Sequence, residues 1–179
     1  MIRKKVISAT IAVLTMSSLI VSGQEATAAE KSFGPKGFDL QAHRGGMGLT
    51  VESSIASFSH ALELGVSTLE LDVQITEDDK AVVTHDRKIS NAVCKDTAPT
   101  FENDPEYPYV GKYIKDLTLE QIRTMDCGSL SKLQYSGQVT SPRAKMLLLT
   151  DVFDLVKQYD AKKVWMNIET KVEAGAPHE

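Results

Sequence analysis

The sequence lacks a basic excess: 20 Lys and Arg stand against 24 Asp and Glu, for a formal net charge of -4. A chain of that balance has no electrostatic footprint for nucleic acid, so nucleic acid is not expected as a partner. Internal repeats and low-complexity tracts are missing, which removes solenoids and repeat arrays from consideration. Cysteine is scarce: Cys94 and Cys127 are the whole supply, enough for one disulfide. Beyond the first residues there is no long apolar run, so no later segment is expected to cross a membrane.

What is present is ordinary globular composition, 42% hydrophobic and 25% charged over 179 residues, sufficient for one domain with a core. The start is different. Arg3, Lys4 and Lys5 precede an apolar run over residues 6–21, and small residues follow at Ala26, Thr27, Ala28 and Ala29. This is the layout of a signal peptide over residues 1–28, cleaved after Ala28, with a membrane anchor as the alternative. The run is interrupted by Ser8, Thr10, Thr15, Ser17 and Ser18 and is short for a span, so no stable membrane insertion is expected after cleavage.

Cleavage would move the formal charge from -4 to -6, because Arg3, Lys4, Lys5 and Glu25 leave together. A phosphate-bearing ligand would then depend on local cations or a metal ion. An exported chain, periplasmic or secreted, meets an oxidising environment, which favours a disulfide between Cys94 and Cys127 over two buried thiols.

Along the chain, residues 37–42 are expected to form a first strand ending at His43-Arg44-Gly45-Gly46. Over residues 52–64, Ile55, Phe58 and Leu62 recur at helical spacing and Gly65 supplies a stop. Residues 67–76 alternate, with Leu69, Leu71, Val73 and Ile75 on one face and Glu70, Asp72 and Gln74 on the other, as in a strand. A polar turn over 77–80 leads into a short strand over 81–84 that ends at His85-Asp86, and the spacing predicts a hairpin.

Residues 87–116, rich in polar groups, proline and glycine, read as a long loop or a small inserted lobe. Thr118 with Gln121 has the pattern of a capping box, and Leu117 with Ile122 that of a hydrophobic staple. A helix is therefore expected from Thr118 to near Cys127-Gly128. Val152, Leu155, Val156 and Tyr159 trace another helix beginning close to Thr150, and residues 163–170 a further strand. Strand and helix alternate, which points to parallel β-α units with chemistry at the carboxyl ends of strands. Three principal strands are legible, where a closed barrel needs eight.

Glu70 and Asp72, two apart on a strand, point to one face. Like charges side by side need something positive between them, and a hard divalent cation such as Ca²⁺ or Mg²⁺ suits an all-oxygen ligand set. An exposed strand face is the alternative. Glu169 and Lys171 repeat the geometry on the last strand, adding a third carboxylate and a cation. Phosphodiester cleavage needs a base, an acid and positive charge on the phosphate oxygens. His43 and His85 can fill the first two roles, Arg44 can grip phosphate with its fork, and Lys171 can act as a point charge.

In order and spacing, Ala42-His43-Arg44-Gly45, Val51-Glu52-Ser53-Ser54, Leu69-Glu70-Leu71-Asp72-Val73, Val83-Thr84-His85-Asp86 and Asn167-Ile168-Glu169-Thr170-Lys171 resemble glycerophosphodiester phosphodiesterases. The resemblance implies an α/β fold, a TIM-type barrel that is incomplete in this chain. Residues 29–179 would be its N-terminal part, with an inserted lobe at about 87–147. It implies metal-dependent hydrolysis of glycerophosphodiesters, small-molecule substrates, to glycerol 3-phosphate and an alcohol. By position, Glu70, Asp72 and Glu169 would be metal ligands, His43 and His85 the acid-base pair, and Arg44 and Lys171 phosphate contacts. Glu52 would be a possible metal or substrate contact. The family's Pro-Glu-Asn-Thr is Val51-Glu52-Ser53-Ser54 here, which points to a differently shaped loop that keeps the carboxylate.

An open barrel would expose strand edges, so the chain reads as a fragment of a longer product or as a truncated one. A sphingomyelinase D-like phospholipase would share the barrel, but a lipid substrate calls for apolar surface at the mouth. Here Phe101, Tyr107, Tyr109 and Tyr113 are scattered through a polar stretch. An inactive truncated binding module is the other alternative, and the intact set of His43, His85, Glu70, Asp72 and Glu169 argues against such decay. His60 reads as a surface residue of a helix, and His178 supports no assignment.

Overall fold

The computed structural model of the chain describes residues 34 and 37–172. The expected signal peptide and His178 lie outside the described residues. The sheet is organised by β2, Thr68–Ile75, whose Leu69, Leu71 and Val73 are buried on one face. Its other elements are β1 (Gln41–Ala42), β3 (Ala81–Val83), β4 (Leu147–Leu148) and β5 (Trp165–Thr170). β5 runs parallel to β2 along residues 68–73 and so occupies one edge. The opposite edge is shared: β1 pairs in parallel with residues 68–69, and β3 folds back antiparallel against 73–75. β4 extends the sheet antiparallel beyond β3.

Two helices pack on the apolar face of β2. Helix α1 (Ile55–Leu64) starts where Ser54 and Ser57 exchange hydrogen bonds, each backbone N–H donating to the other's hydroxyl at 3.1 Å. It stops at Gly65, which takes the left-handed conformation that closes helices without a Cβ penalty. Helix α3 (Leu149–Gln158) starts where Asp151 accepts from the Leu148 N–H at 2.8 Å. Phe58, Leu62, Val152 and Leu155 from these helices share one buried cluster with Leu69, Leu71 and Val73. Fully burying one such side chain contributes about 1.5 to 3 kcal/mol, so this cluster is the main stabiliser of the sheet-helix layer.

Between β3 and β4 a second core forms around Tyr109, Ile114, Leu117, Ile122 and Met125, joined by the Cys94–Cys127 disulfide. Here α2 (Leu119–Thr124) begins at Thr118, whose side chain and that of Gln121 cap each other's backbone. The buried Tyr109 hydroxyl donates to Asp104 at 2.7 Å and accepts the Thr100 N–H at 2.8 Å. Gln121 donates to the same Asp104 carboxylate, which satisfies polar groups that burial would otherwise penalise.

Several elements differ from the sequence expectation. The first strand is two residues and not six, because Gly37 has a positive φ of 89° and Leu40 is held instead by the Ser67 hydroxyl. Ile75, the last residue of β2, is exposed and takes no part in the buried cluster of Leu69, Leu71 and Val73. Helix α2 ends at Thr124, short of Cys127, because residue 126 pairs with Lys95 through two backbone hydrogen bonds and the adjacent cysteine is tied to Cys94. Strand β4 had no separate signal in a two-residue stretch. β5 is exposed along its length, and among the described residues no strand pairs with its outer edge.

The disulfide closes a separation of 33 residues. In the chain-entropy model, the double substitution Cys94→Ser/Cys127→Ser should lower unfolding free energy by about 3 to 4 kcal/mol. Urea denaturation followed by circular dichroism measures this, and an unchanged midpoint would show that the second core does not depend on the bridge.

Candidate functional site

The site begins with strand alternation. Residues that leave Leu69 and Leu71 in the core put Glu70 and Asp72 on the opposite face of β2, and the parallel register sets Asp72 beside Glu169 of β5. Asp72 is 1% exposed and Glu70 8% exposed, whereas Glu169 is open to solvent. One oxygen from each of the three lies within 4.8 Å of the others.

Positive charge reaches this cluster from two directions. After β1 the chain turns through left-handed conformations at Arg44 (φ 50°), Gly45 (φ 77°) and Gly46 (φ 102°). For arginine that conformation costs roughly 1 to 2 kcal/mol. The turn directs the Arg44 N–H onto Glu70 Oε2 at 2.6 Å, and its guanidinium donates to Glu52 Oε1 at 3.0 Å. Gly45 has no alternative: a Cβ there would stand 2.5 Å from the Ser57 hydroxyl and 3.0 Å from the Phe58 ring. From just past the end of β5, Lys171 Nζ lies 2.9 Å from Asp72 Oδ1 and 2.6 Å from Glu169 Oε1.

The ionisation of these groups follows from the contacts. Burial alone would lower the Lys171 ammonium, but hydrogen bonds to Glu169 and Asp72 outweigh it and raise its pKa above the ordinary lysine value. The Lys171 hydrogen bond likewise holds Glu169 below the usual carboxylate range. Asp72 Oδ2 and Arg44 Nε, 3.6 Å apart, are both buried and make no hydrogen bond. An orphaned carboxylate oxygen inside an all-oxygen cluster is what a hard divalent cation would complete, and Glu70, Asp72 and Glu169 could hold one.

The two histidines flank the cluster. His43 is exposed, with Nε2 4.0 Å from Glu70 Oε2. His85, just past β3, sets Nδ1 2.7 Å from Asp86 Oδ1, and its carbonyl accepts from Gln74. Burial pushes Asp86 up, but the His85 hydrogen bond and charge outweigh it and leave its pKa lowered. A carboxylate can only accept, so the hydrogen bond places a proton on Nδ1 and leaves Nε2 as the nitrogen that can exchange one. His85 and Lys171 both line an open cavity of about 450 Å³. His60 lies half-buried on α1 and takes no part in these contacts.

Lys132 is the residue that the sequence did not announce. Its ammonium pairs with Glu52 Oε2, so the buried Glu52 carboxylate is held by Lys132 on one oxygen and Arg44 on the other. The two partners are 80 residues apart in the chain, and no periodic or spacing signal connects them. The Val51-Glu52-Ser53-Ser54 stretch resolves into a buried Val51, the paired Glu52, a left-handed Ser53 (φ 54°) and the Ser54 cap.

Parallel strands β1, β2 and β5 linked through helices, with Glu70 and Asp72 on one face of β2 and Arg44, Glu169 and Lys171 at or just past the carboxyl ends of β1 and β5, fit an α/β protein of the barrel class. The chain belongs to the glycerophosphoryl diester phosphodiesterase family, whose model matches residues 43–179. A glycerophosphodiester phosphodiesterase of Caldanaerobacter subterraneus is 33% identical over 130 residues, which are 73% of this chain and 44% of that protein. One from Bacillus altitudinis is equally similar, 33% over 130 residues with the same shares of 73% and 44%. Among solved structures, a phosphodiesterase of this family from Silicibacter pomeroyi matches with a TM-score of 0.66 at 24% identity, over 80% of this chain and 49% of that one. An Oleispira antarctica phosphodiesterase in complex with sn-glycerol-3-phosphate matches with a TM-score of 0.55 at 22% identity, over 75% and 44%. These likenesses identify the fold as a TIM-type barrel, incomplete in this chain, which spans about half the length of the curated relatives it matches.

Removing Lys132 should expose how much the site leans on it. Lys132→Ala leaves one Glu52 oxygen without its charged partner, and should cost about 1.5 to 3 kcal/mol of stability, with Lys132→Arg recovering most of it. Thermal unfolding of the three proteins measures the effect; equal midpoints would show that the pair contributes nothing.

Proposed function

We propose that the protein carrying this chain is a metal-dependent phosphodiester hydrolase that cleaves glycerophosphodiesters to glycerol 3-phosphate and an alcohol. The observation that carries this reading is the gathering of Glu70, Asp72 and Glu169 with Arg44 and Lys171 between two histidines, in a chain of this family. The names of the curated relatives support the substrate class.

In this reading the three carboxylates hold Ca²⁺ or Mg²⁺, which when bound polarises a phosphoryl oxygen and balances charge developing there. Arg44 and Lys171 grip the non-bridging phosphate oxygens, giving up part of their present contacts to Glu52, Asp72 and Glu169. His85, with Nδ1–H anchored on Asp86, presents Nε2 to accept a proton from the attacking glycerol hydroxyl. As that hydroxyl oxygen bonds to phosphorus, the bond from phosphorus to the alcohol oxygen breaks, His43 protonates the departing oxygen, and a cyclic phosphate of glycerol remains. The roles then reverse, His43 taking a proton from the attacking water and His85 returning its proton to the glycerol oxygen released as the ring opens to glycerol 3-phosphate. Glu52 does not face solvent; paired with Arg44 and Lys132, it positions the guanidinium. The Cys94–Cys127 disulfide supports an exported chain, periplasmic or secreted, since such bridges persist in oxidising compartments.

Hydrolysis of glycerophosphocholine by the purified protein, followed as glycerol 3-phosphate release with Ca²⁺, with Mg²⁺ and with chelator, tests the reading. Turnover should require the metal and should fall by about 10² to 10⁴-fold in His43→Ala and His85→Ala. Hydrolysis that survives chelation, or a folded protein that binds metal without turnover, would contradict it.

A further inference from the structure

Arg44 is asked to do two things at once. In the reaction proposed above it grips a phosphate oxygen, yet in the structure its guanidinium donates to Glu52 Oε1 at 3.0 Å and lies 3.6 Å from Asp72 Oδ2 without bonding to it. To reach a phosphate it must let go of Glu52, which is only 5% exposed. A buried carboxylate stripped of its partner is heavily penalised, because water cannot replace the lost contact. An Arg44–Glu52 pair standing alone would therefore hold the guanidinium away from the substrate.

Lys132 removes that penalty. Its ammonium holds Glu52 Oε2, the oxygen that Arg44 does not use, so Glu52 keeps a charged partner when Arg44 departs. The contact is anchored through backbone. Lys132 N–H donates to Gln138 Oε1 at 2.9 Å, and the same Gln138 amide donates to the Met47 carbonyl at 2.6 Å and the Thr50 carbonyl at 3.3 Å. Val139 N–H donates to the Leu49 carbonyl at 2.8 Å, and Val51 N–H returns to the Val139 carbonyl at 3.0 Å. The buried Gln138 and this seam pin the stretch that carries Lys132 to the loop that leads into Glu52.

We propose that Lys132 is a positioning residue: by retaining Glu52, it lets Arg44 exchange that carboxylate for a phosphate oxygen of the substrate. The inference rests on the glycerophosphodiesterase reading and adds to it a residue from the segment between β3 and β4. Glu52 orients the guanidinium, and Lys132 sets how readily it moves. Lys132 itself needs no contact with the substrate.

Calorimetric binding of sn-glycerol 3-phosphate in the presence of Ca²⁺ tests this, with each variant shown to be folded by circular dichroism. Lys132→Ala should weaken binding by about tenfold or more, and Lys132→Arg should restore it. Lys132→Gln, which keeps a donor without the charge, should show a smaller loss in the same direction and serves if Lys132→Ala does not fold. Adding Glu52→Gln to either uncharged variant should recover affinity, since Arg44 then leaves no buried charge behind. The loss should persist at high salt, because a buried pair is screened little. For glycerophosphocholine, kcat/KM should fall with the affinity, mainly through KM. Unchanged binding in the Lys132 variants, no recovery with Glu52→Gln, or a loss erased by salt would overturn the role of Lys132. So would a fall confined to kcat, or an unsubstituted protein that binds no glycerol 3-phosphate. Binding that follows the expected pattern without any turnover would support the role of Lys132 and count against the reaction alone.

Discussion

Two carboxyl groups side by side on one buried face of a strand call for positive charge and hydrogen-bond donors around them, and the rest of this site supplies both. Glu70 and Asp72 of β2 are both nearly closed to solvent. The left-handed turn at Arg44, with its conformational cost, is tolerated because it brings a backbone N–H to Glu70 and a guanidinium to Glu52 and beside Asp72. Lys171, one residue past the adjacent strand, pairs with Asp72 and Glu169. The compensation is incomplete: Glu52, Glu70, Asp72 and Glu169 are set against Arg44, Lys132 and Lys171. Four carboxylates against three cations leave a net negative charge and one buried oxygen unbonded, which is a setting for a divalent cation.

The segment between β3 and β4 serves that site from outside the sheet. Its core around Tyr109 and Ile122, its Asp104 network and its disulfide give it an interior of its own. From that interior it sends Lys132 to Glu52, and with Tyr113 and Lys88 it forms a wall of the cavity beside His85. The sheet thus supplies the carboxylates and their metal-ready geometry, and the connecting segment shapes what lies around them.

Much of this was legible from residue order because it depends on local rules. Period-two alternation revealed the opposite faces of β2, so the pairing of Glu70 with Asp72 and the burial of Leu69 and Leu71 follow directly from the pleat. The Thr118 and Gln121 cap was readable because both partners lie within one helical turn. What escaped depends on contacts distant in sequence. The early end of α2 comes from residue 126 pairing with Lys95, β4 exists only because β3 offers it an edge, and Lys132 meets a carboxylate 80 residues away. Strand β5 was readable in both respects: its pattern marks a strand, and an incomplete barrel exposes strand edges, as at the outer edge of β5, with which no strand pairs among the described residues.

The central claim is that Glu70, Asp72 and Glu169 form one divalent-cation site. Titration calorimetry of the purified protein with Ca²⁺ and with Mg²⁺, beside Asp72→Asn, tests it most directly. One ion should bind per chain, with affinity lost in Asp72→Asn while the variant retains a native circular dichroism spectrum. Absence of binding by the unsubstituted protein, or binding undisturbed in Asp72→Asn, would contradict it.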